Sequence, residues 1–214
     1  MAPHKPLHME IVNLKQASVR FAGDSGDGMQ FSGTLFSETC ASYGNSINTF
    51  PDYPSEIRAP EGTLYGVSAY QVNFGSRPVY TPGDKIDLLI AMNASSLKVN
   101  LLNLKEGAIL IVDESGFDAR NLKLAGYEIN PLDEPDIQKY QLIRVDIPAM
   151  IKALMKDHDI PAKVYKKTRN IYALGIAFYL FDRPLETTLE IFTKKFGKKW
   201  KKKEEKWRKM RKKR

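Results

Sequence analysis

Residues Val19–Gly33, VRFAGDSGDGMQFSG, pass from an apolar run into a glycine-punctuated turn and, without a linker, into a helical pattern. Gly23, Gly26 and Gly28 can adopt positive φ and let other groups come close to the backbone, while the following helix leaves N–H groups unpaired in its first turn. Strand, tight turn and helix in that order are a common way to build a site in an α/β protein. The stretch points to an α/β fold with a site at the turn.

Working outward, residues 17–22 are expected to form a first strand and about 28–43 a helix, with Phe31, Leu35, Phe36 and Cys40 at helical spacing and Gly44 and Asn45 ending it. Gly33 is expected to let that helix pack closely on a strand. Ser46 to Phe50 reads as a second strand. After it, Pro51, Pro54 and Pro60 in PDYPSEIRAPEG forbid regular helix and mark an ordered loop or an irregular edge. Val67 to Phe74 alternates as a strand does, and turn residues Gly75 to Pro78 follow it.

Ile86 to Met92, IDLLIAM, is a continuous apolar run of the kind covered on both faces, and marks the centre of the sheet. A short helix from about Ser95 to Leu104 and a buried strand from Ala108 to Asp113 continue the alternation, with further strands expected at Gly126 to Asn130 and Leu142 to Val145. Ile147 to Asp157 and Asn170 to Phe181 read as helices. Asp182 and Pro184 end the second, and another begins at about Leu185. The fold class is therefore α/β: a three-layer domain with a central mixed, mostly parallel sheet.

Composition narrows the chemistry. At 214 residues and 43% hydrophobic content the chain can bury a real core. No run of about 18 apolar residues occurs and the start has no signal-like stretch, so the expectation is a cytoplasmic protein with no membrane partner. Cys40 is the only cysteine, which excludes a disulfide framework and any iron–sulfur cluster held by this chain alone. His4, His8 and His158 lie far apart, so no metal site of the zinc type is expected. The net charge of +8 is uneven. Residues 194–214 hold 14 Lys and Arg against 2 Glu, a net of +12, leaving 19 basic and 23 acidic residues, a net of −4, before them. That tail, with Trp200 and Trp207, is read as a solvated or frayed end, and nucleic acid is not the expected partner.

Three ligands that the opening turn first suggests are each missing a part. A dinucleotide fingerprint wants Gly-x-Gly-x-x-Gly, but Gly26-Asp27-Gly28 is followed by Met29, Gln30 and Phe31, even though Asp52 stands roughly where a ribose-binding acid would. A phosphate-cradling loop wants Gly-Lys-Ser/Thr, which is absent. The Gly-Asp-Gly of thiamine diphosphate enzymes wants an asparagine a little under thirty residues on, where Pro54 and Ser55 stand.

Five motifs in order carry a resemblance: AGDSGDGMQFSG (22–33), YPSEIRAPEGTLYGVSAYQVNFGS (53–76), IDLLIAMN (86–93), GAILIVDES (107–115) and RNIYALGIAFYLFDRPLE (169–186). Together they resemble the gamma domain of the 2-oxoacid:ferredoxin oxidoreductases, most of all the N-terminal part of the alpha subunit in the 2-oxoglutarate type, over about residues 17–196. The resemblance implies a part in the oxidative decarboxylation of a 2-oxoacid with coenzyme A, giving an acyl-CoA and passing electrons to ferredoxin. It implies further that thiamine diphosphate, Mg²⁺ and the iron–sulfur cluster belong to a partner beta subunit, with none bound by this chain alone, and that the chain is inactive without that partner. Asp24, Ser25, Gly26, Asp27, Gly28, Met29 and Gln30 then form a cofactor-binding or interface loop, offering backbone donors to an anionic group or to a neighbouring domain. Glu56, Arg58 and Asn170 are candidate substrate, coenzyme A or interface contacts; Glu56 and Arg58 read equally as an interface ion pair, and Asn170 as a helix cap. Tyr53, Tyr65 and Tyr70 are expected in a core or interface rather than along a channel.

The expected organisation is an N-terminal extension at 1–16, the gamma domain at 17–193 and a basic tail at 194–214. In the family the gamma part continues into a domain that binds the pyrimidine half of thiamine diphosphate and bears a Tyr-Pro-x-Thr-Pro motif, which does not occur here. The family-like pattern fades after FGKK. The chain is therefore read as a truncated or split product whose residues from Trp200 onward come from a shifted reading frame. The rival reading is a stand-alone nucleotide or small-molecule binding module with a basic anchoring tail.

Overall fold

A computed structural model describes residues 12–56, 59–156, 168–194 and 197. Its sheet contains β1 (Gln16–Asp24), β2 (Ser46–Asp52), β3 (Val67–Gly75), β4 (Ile86–Ala91), β5 (Leu104–Asp113) and β6 (Gln141–Val145), in the spatial order β2-β3-β1-β4-β5-β6. β1, β4, β5 and β6 run parallel, while β3 lies antiparallel between β1 and β2. The helices are α1 (Met29–Ser42), α2 (Ala94–Asn100), α3 (Ala119–Leu124), α4 (Ile147–Leu154), α5 (Arg169–Leu180) and α6 (186–194).

Alternation along the strands sorts side chains onto two cores. Val19 and Phe21 of β1, Leu88 and Ile90 of β4 and Ile111 of β5 face α1, α4 and α5; Ala22, Leu89, Ala91, Leu110 and Val112 face the layer of α2 and α3. Both faces of β4 are buried from Leu88 to Ala91, which is why its sequence is apolar there; the run is broken once, at half-buried Asp87, which accepts from the Ser18 N–H and from Lys105 Nζ. Phe36 of α1 anchors the first core, with its ring 5.7 Å from Phe21, 5.4 Å from Phe74 and 5.8 Å from Phe178. Cys40 lies in the same core, where burial pushes its thiol up to about 12 and keeps it protonated and inert.

Gly33 meets the expectation made of it: a Cβ there would stand 2.2 Å from the ring of Tyr70 on β3. β2 continues through Pro51 to Asp52, which an edge strand allows because its outer side has no ladder partner to lose.

One expected strand is not formed. Gly126 to Asn130 is a turn that closes α3, a helix of six residues that the sequence reading passed over. Asp118 caps α3 by accepting from the Asn121 N–H, and Gly126 ends it at φ 69°. Lys98 then donates to the carbonyls of Ala125 and Gly126 and stands over the Tyr127 ring, fixing the turn against α2. The expected helix end at Asp157, the residues after Trp200 and most of the basic tail lie outside the described residues.

Candidate functional site

The chain leaves β1 toward β2 on one side and leaves β4 toward β5 on the other, so a crevice opens between the carboxyl ends of β1 and β4. Residues 24–30 form its rim. The turn is braced by its own atoms: the Asp27 N–H donates to the Asp24 carbonyl at 2.9 Å, and the Asp24 N–H donates to Asp27 Oδ2 at 3.1 Å. The Ser25 N–H donates to Gly66 O at 3.0 Å and the Gly62 N–H to Asp24 Oδ2 at 3.0 Å, which fastens the turn to the proline-marked segment before β3. Ser25 and Gly26 stay exposed at the tip.

Gly23 lets Asp27 and Met92 close over the backbone: a Cβ there would stand 2.9 Å from Asp27 Oδ2 and 3.1 Å from Met92 Cβ. Gly28, at φ 77°, is the N-cap of α1. A Cβ on it would stand 2.6 Å from Asn170 Nδ2. Met29 turns into the core, while Gln30 Nε2 donates to the carbonyls of Asp52 and Ala69 and to Ser68 Oγ, tying α1 to the ends of β2 and β3.

Burial raises the pKa of Asp24, with Asn93 and the Gly62 N–H offsetting part of the effect, and Asp24 Oδ1 has no hydrogen-bond partner among the described residues. Burial likewise raises Asp27; Arg169 pulls it down, and Asp24 and Glu61 push it up. A carboxyl whose folded pKa stands above its unfolded value destabilises the fold most when ionised, so this cost lessens as pH falls through the raised pKa. Asp27→Asn, whose amide oxygen can still accept from Asp24, is therefore expected to raise Tm at pH 7 by about 2–4 °C for each kcal/mol relieved. The gain should shrink toward about pH 4. Melting curves at the two pH values check this, and a lower Tm at pH 7 would mean that attraction to Arg169 outweighs burial.

Asn170 arrives from 142 residues away. Its Nδ2 donates to Gly28 O at 3.2 Å, and Ser32 Oγ donates to its carbonyl at 3.1 Å, so it bridges two helices rather than capping its own. Glu56 is exposed on the proline-marked segment, and Arg58 lies outside the described residues. Tyr70 packs against α1, whereas Tyr53 and Tyr65 are exposed.

Residues that the sequence reading did not single out complete the rim. Asp113, fully buried at the end of β5, accepts from Ser115 Oγ at 2.8 Å and from Arg169 Nε at 3.0 Å. Asn93, after β4, caps α2. A polar residue closing an apolar run, as in LLIAMN and ILIVD, was the available signal. On the opposite core, Arg20 donates to Asp52, to Asn100 Oδ1 and to Gln71 Oε1, and burial lowers its pKa. Asp52, in the ribose position, therefore serves as an ion-pair partner for Arg20.

The turn does not fit a magnesium-held diphosphate, because Asp27 Oδ2 is directed at the Asp24 N–H. Among the described residues no group of three His, Cys, Asp or Glu side chains is placed to hold a metal ion, and no helix is long and apolar enough to cross a membrane.

An open, mostly parallel sheet with a braced glycine turn at its switch point defines an α/β domain of the kind that builds sites at strand ends. The family model for pyruvate ferredoxin/flavodoxin oxidoreductase matches residues 18–209, and the chain belongs to that family. It is 38% identical over 186 residues to the 2-oxoglutarate oxidoreductase subunit KorA of Mycobacterium tuberculosis, covering 87% of this chain and 28% of that protein. A solved 2-oxoglutarate:ferredoxin oxidoreductase from Magnetococcus marinus, with 2-oxoglutarate, coenzyme A and succinyl-CoA bound, superposes with a TM-score of 0.66 at 26% identity, over 87% of this chain and 28% of that one. The gamma subunit of a keto/oxoacid ferredoxin oxidoreductase from Geobacter sulfurreducens shares the fold, with a TM-score of 0.54 at 21% identity over 80% of each chain. The chain thus spans just over a quarter of the length of the curated relative and of the Magnetococcus enzyme.

Proposed function

We propose that this chain is the gamma-type part of a 2-oxoacid:ferredoxin oxidoreductase, acting on 2-oxoglutarate or a related 2-oxoacid. It contributes to the coenzyme A-dependent oxidative decarboxylation that forms an acyl-CoA and sends electrons to ferredoxin. The observation that carries the reading is the 38% identity, sustained over 186 residues, to a 2-oxoglutarate oxidoreductase subunit. The match in fold to an enzyme solved with 2-oxoglutarate and coenzyme A supports it. Residues 17–193 form the gamma domain in this reading and 194–214 a basic tail, into which the family match runs as far as 209.

Thiamine diphosphate, with Mg²⁺, supplies the electron sink for decarboxylation, and in this reading it lies on the beta subunit with the iron–sulfur cluster. The pyrimidine-binding domain is supplied by another segment. This chain's share is to present a shaped rim. The exposed Ser25–Gly26 tip faces whatever completes the site, and the internal braces keep that surface preformed. Glu56, Arg58 and the turn are its candidate contacts to substrate, to coenzyme A or to the beta subunit.

Co-expression with a beta subunit and the pyrimidine-binding domain tests the assignment. The expected result is a co-purifying complex that reduces a low-potential viologen only when both a 2-oxoacid and coenzyme A are present, and a chain that is inactive by itself. A stable monomer that ignores the beta subunit and binds NAD would overturn it in favour of a stand-alone binding module.

A further inference from the structure

The first turn of α5 reaches every strand end that lines the crevice. Asn170 donates to the carbonyl of Gly28, the residue that opens α1, and receives the Ser32 hydroxyl on its own carbonyl. Its neighbour Arg169 donates from Nε and Nη2 to Asp113 at the end of β5, and Nη2 also lies 3.5 Å from the Met92 carbonyl, just past the end of β4. Two adjacent residues, far from the turn in sequence, thus join the β1 turn, β4 and β5.

The contact with the turn is close enough to dictate its residues. Gly28 sits at φ 77°, and a Cβ there would stand 2.6 Å from Asn170 Nδ2 and 3.3 Å from its Cγ, so glycine at 28 and asparagine at 170 fit each other. The charge arrangement runs the same way. Asp24, Asp27 and Glu61 crowd the rim, and among the described residues the Arg169 guanidinium draws Asp24 and Asp27 toward their ionised forms.

We infer that Asn170 and Arg169 are positioning residues that set the shape of the 24–30 turn from the start of α5. Neither needs to touch a substrate: Asn170 holds the Gly28 carbonyl and thereby the entry angle of α1, and Arg169 holds the ends of β4 and β5 and places its charge near Asp27. The inference about shape stands on this chain's own contacts. Its consequence for turnover rests on the function proposed above.

Amide hydrogen exchange on the full chain, beside its thermal melt, tests the first part. Asn170→Ala and the isosteric Asn170→Asp, which both lose the donor, are expected to speed exchange at residues 24–30 by about tenfold, against a small change in Tm. That factor corresponds to about 1.4 kcal/mol of local opening. Gly28→Ala should speed it as well, but less when added to Asn170→Ala, because the clashing amide is then gone. Arg169→Lys, which keeps the charge, should loosen the turn less than Arg169→Gln.

Exchange unchanged at the turn, or raised evenly along the chain with a matching fall in Tm, would overturn the inference. In the assembled complex the same variants are expected to lower kcat with KM for the 2-oxoacid little changed, since the rim is misplaced rather than removed. A fall confined to KM would make Asn170 a binding contact instead. If the wild-type complex shows no 2-oxoacid-dependent turnover, the proposed function fails while the exchange result still decides this inference.

Discussion

Replacing Phe36 with alanine should destabilise the chain by about 3–5 kcal/mol, the usual cost of deleting a fully buried ring. For a chain of this size that lowers Tm by about 6–20 °C. Phe36 is at 0% exposure. Its ring meets Phe21 and Phe74 edge-on and stacks on Phe178 at an interplanar angle of 17°. These partners come from β1, β3 and α5, so collapse around the gap would require three elements to shift together. Circular dichroism melts check the figure, with Phe50→Ala as the control because Phe50 is 48% exposed on the edge strand and should change Tm little. A loss for Phe36→Ala no larger than the control's would show that the core repacks freely.

Asp113→Asn should cost up to about 3 kcal/mol, the low end for breaking a buried pair, because Arg169, left without its counter-charge, is 25% exposed. Asp113 Oδ1 accepts from Ser115 N and Oγ and from the Ile147 N–H, and Oδ2 takes the Arg169 fork, so one carboxylate joins β5, α4 and α5. An amide can keep the Oδ1 bonds but turns a donor toward the guanidinium. Asp113→Asn combined with Arg169→Met should recover part of the loss, since removing both charges avoids the uncompensated one. By contrast Lys105→Ala, which breaks an ion pair to Asp87 with the lysine about half exposed, should cost less than about 1 kcal/mol. Chemical denaturation of the wild type, Asp113→Asn, Arg169→Met, the double variant and Lys105→Ala measures all of this, and additive effects in the double variant would refute the coupling.

Much of the fold could be read in advance because its signals are local. The apolar run Leu88–Ala91 of β4 reports burial on both faces, and the helical spacing of Leu35, Phe36 and Cys40 reports the face of α1 that meets the sheet. α3 was missed because six residues give little periodicity to detect, although Asp118 before it and Gly126 after it are ordinary start and stop signals. At the site, the turn's glycines are legible for the same local reason, and Asn170 stands out as a candidate substrate, coenzyme A or interface contact, with a helix cap as the alternative. Nothing near Asn170 in sequence indicates that its amide lies on a carbonyl 142 positions earlier.

The sequence by itself determined the strand, turn and helix at 19–33, the apolar runs that become the sheet and, through 38% identity over 186 residues, the family. These follow from short-range stereochemistry and from composition along the chain, which a one-dimensional reading contains. Only the tertiary structure decided that β3 enters antiparallel between β1 and β2, that Arg20 holds Asp52, and that Asp113, Arg169 and Asn170 meet at the carboxyl ends of the parallel strands. Those pairings join residues 32 to 142 positions apart. They exist because two packed layers bring the strand ends and the start of α5 to one edge, where a buried charge or amide must find a partner.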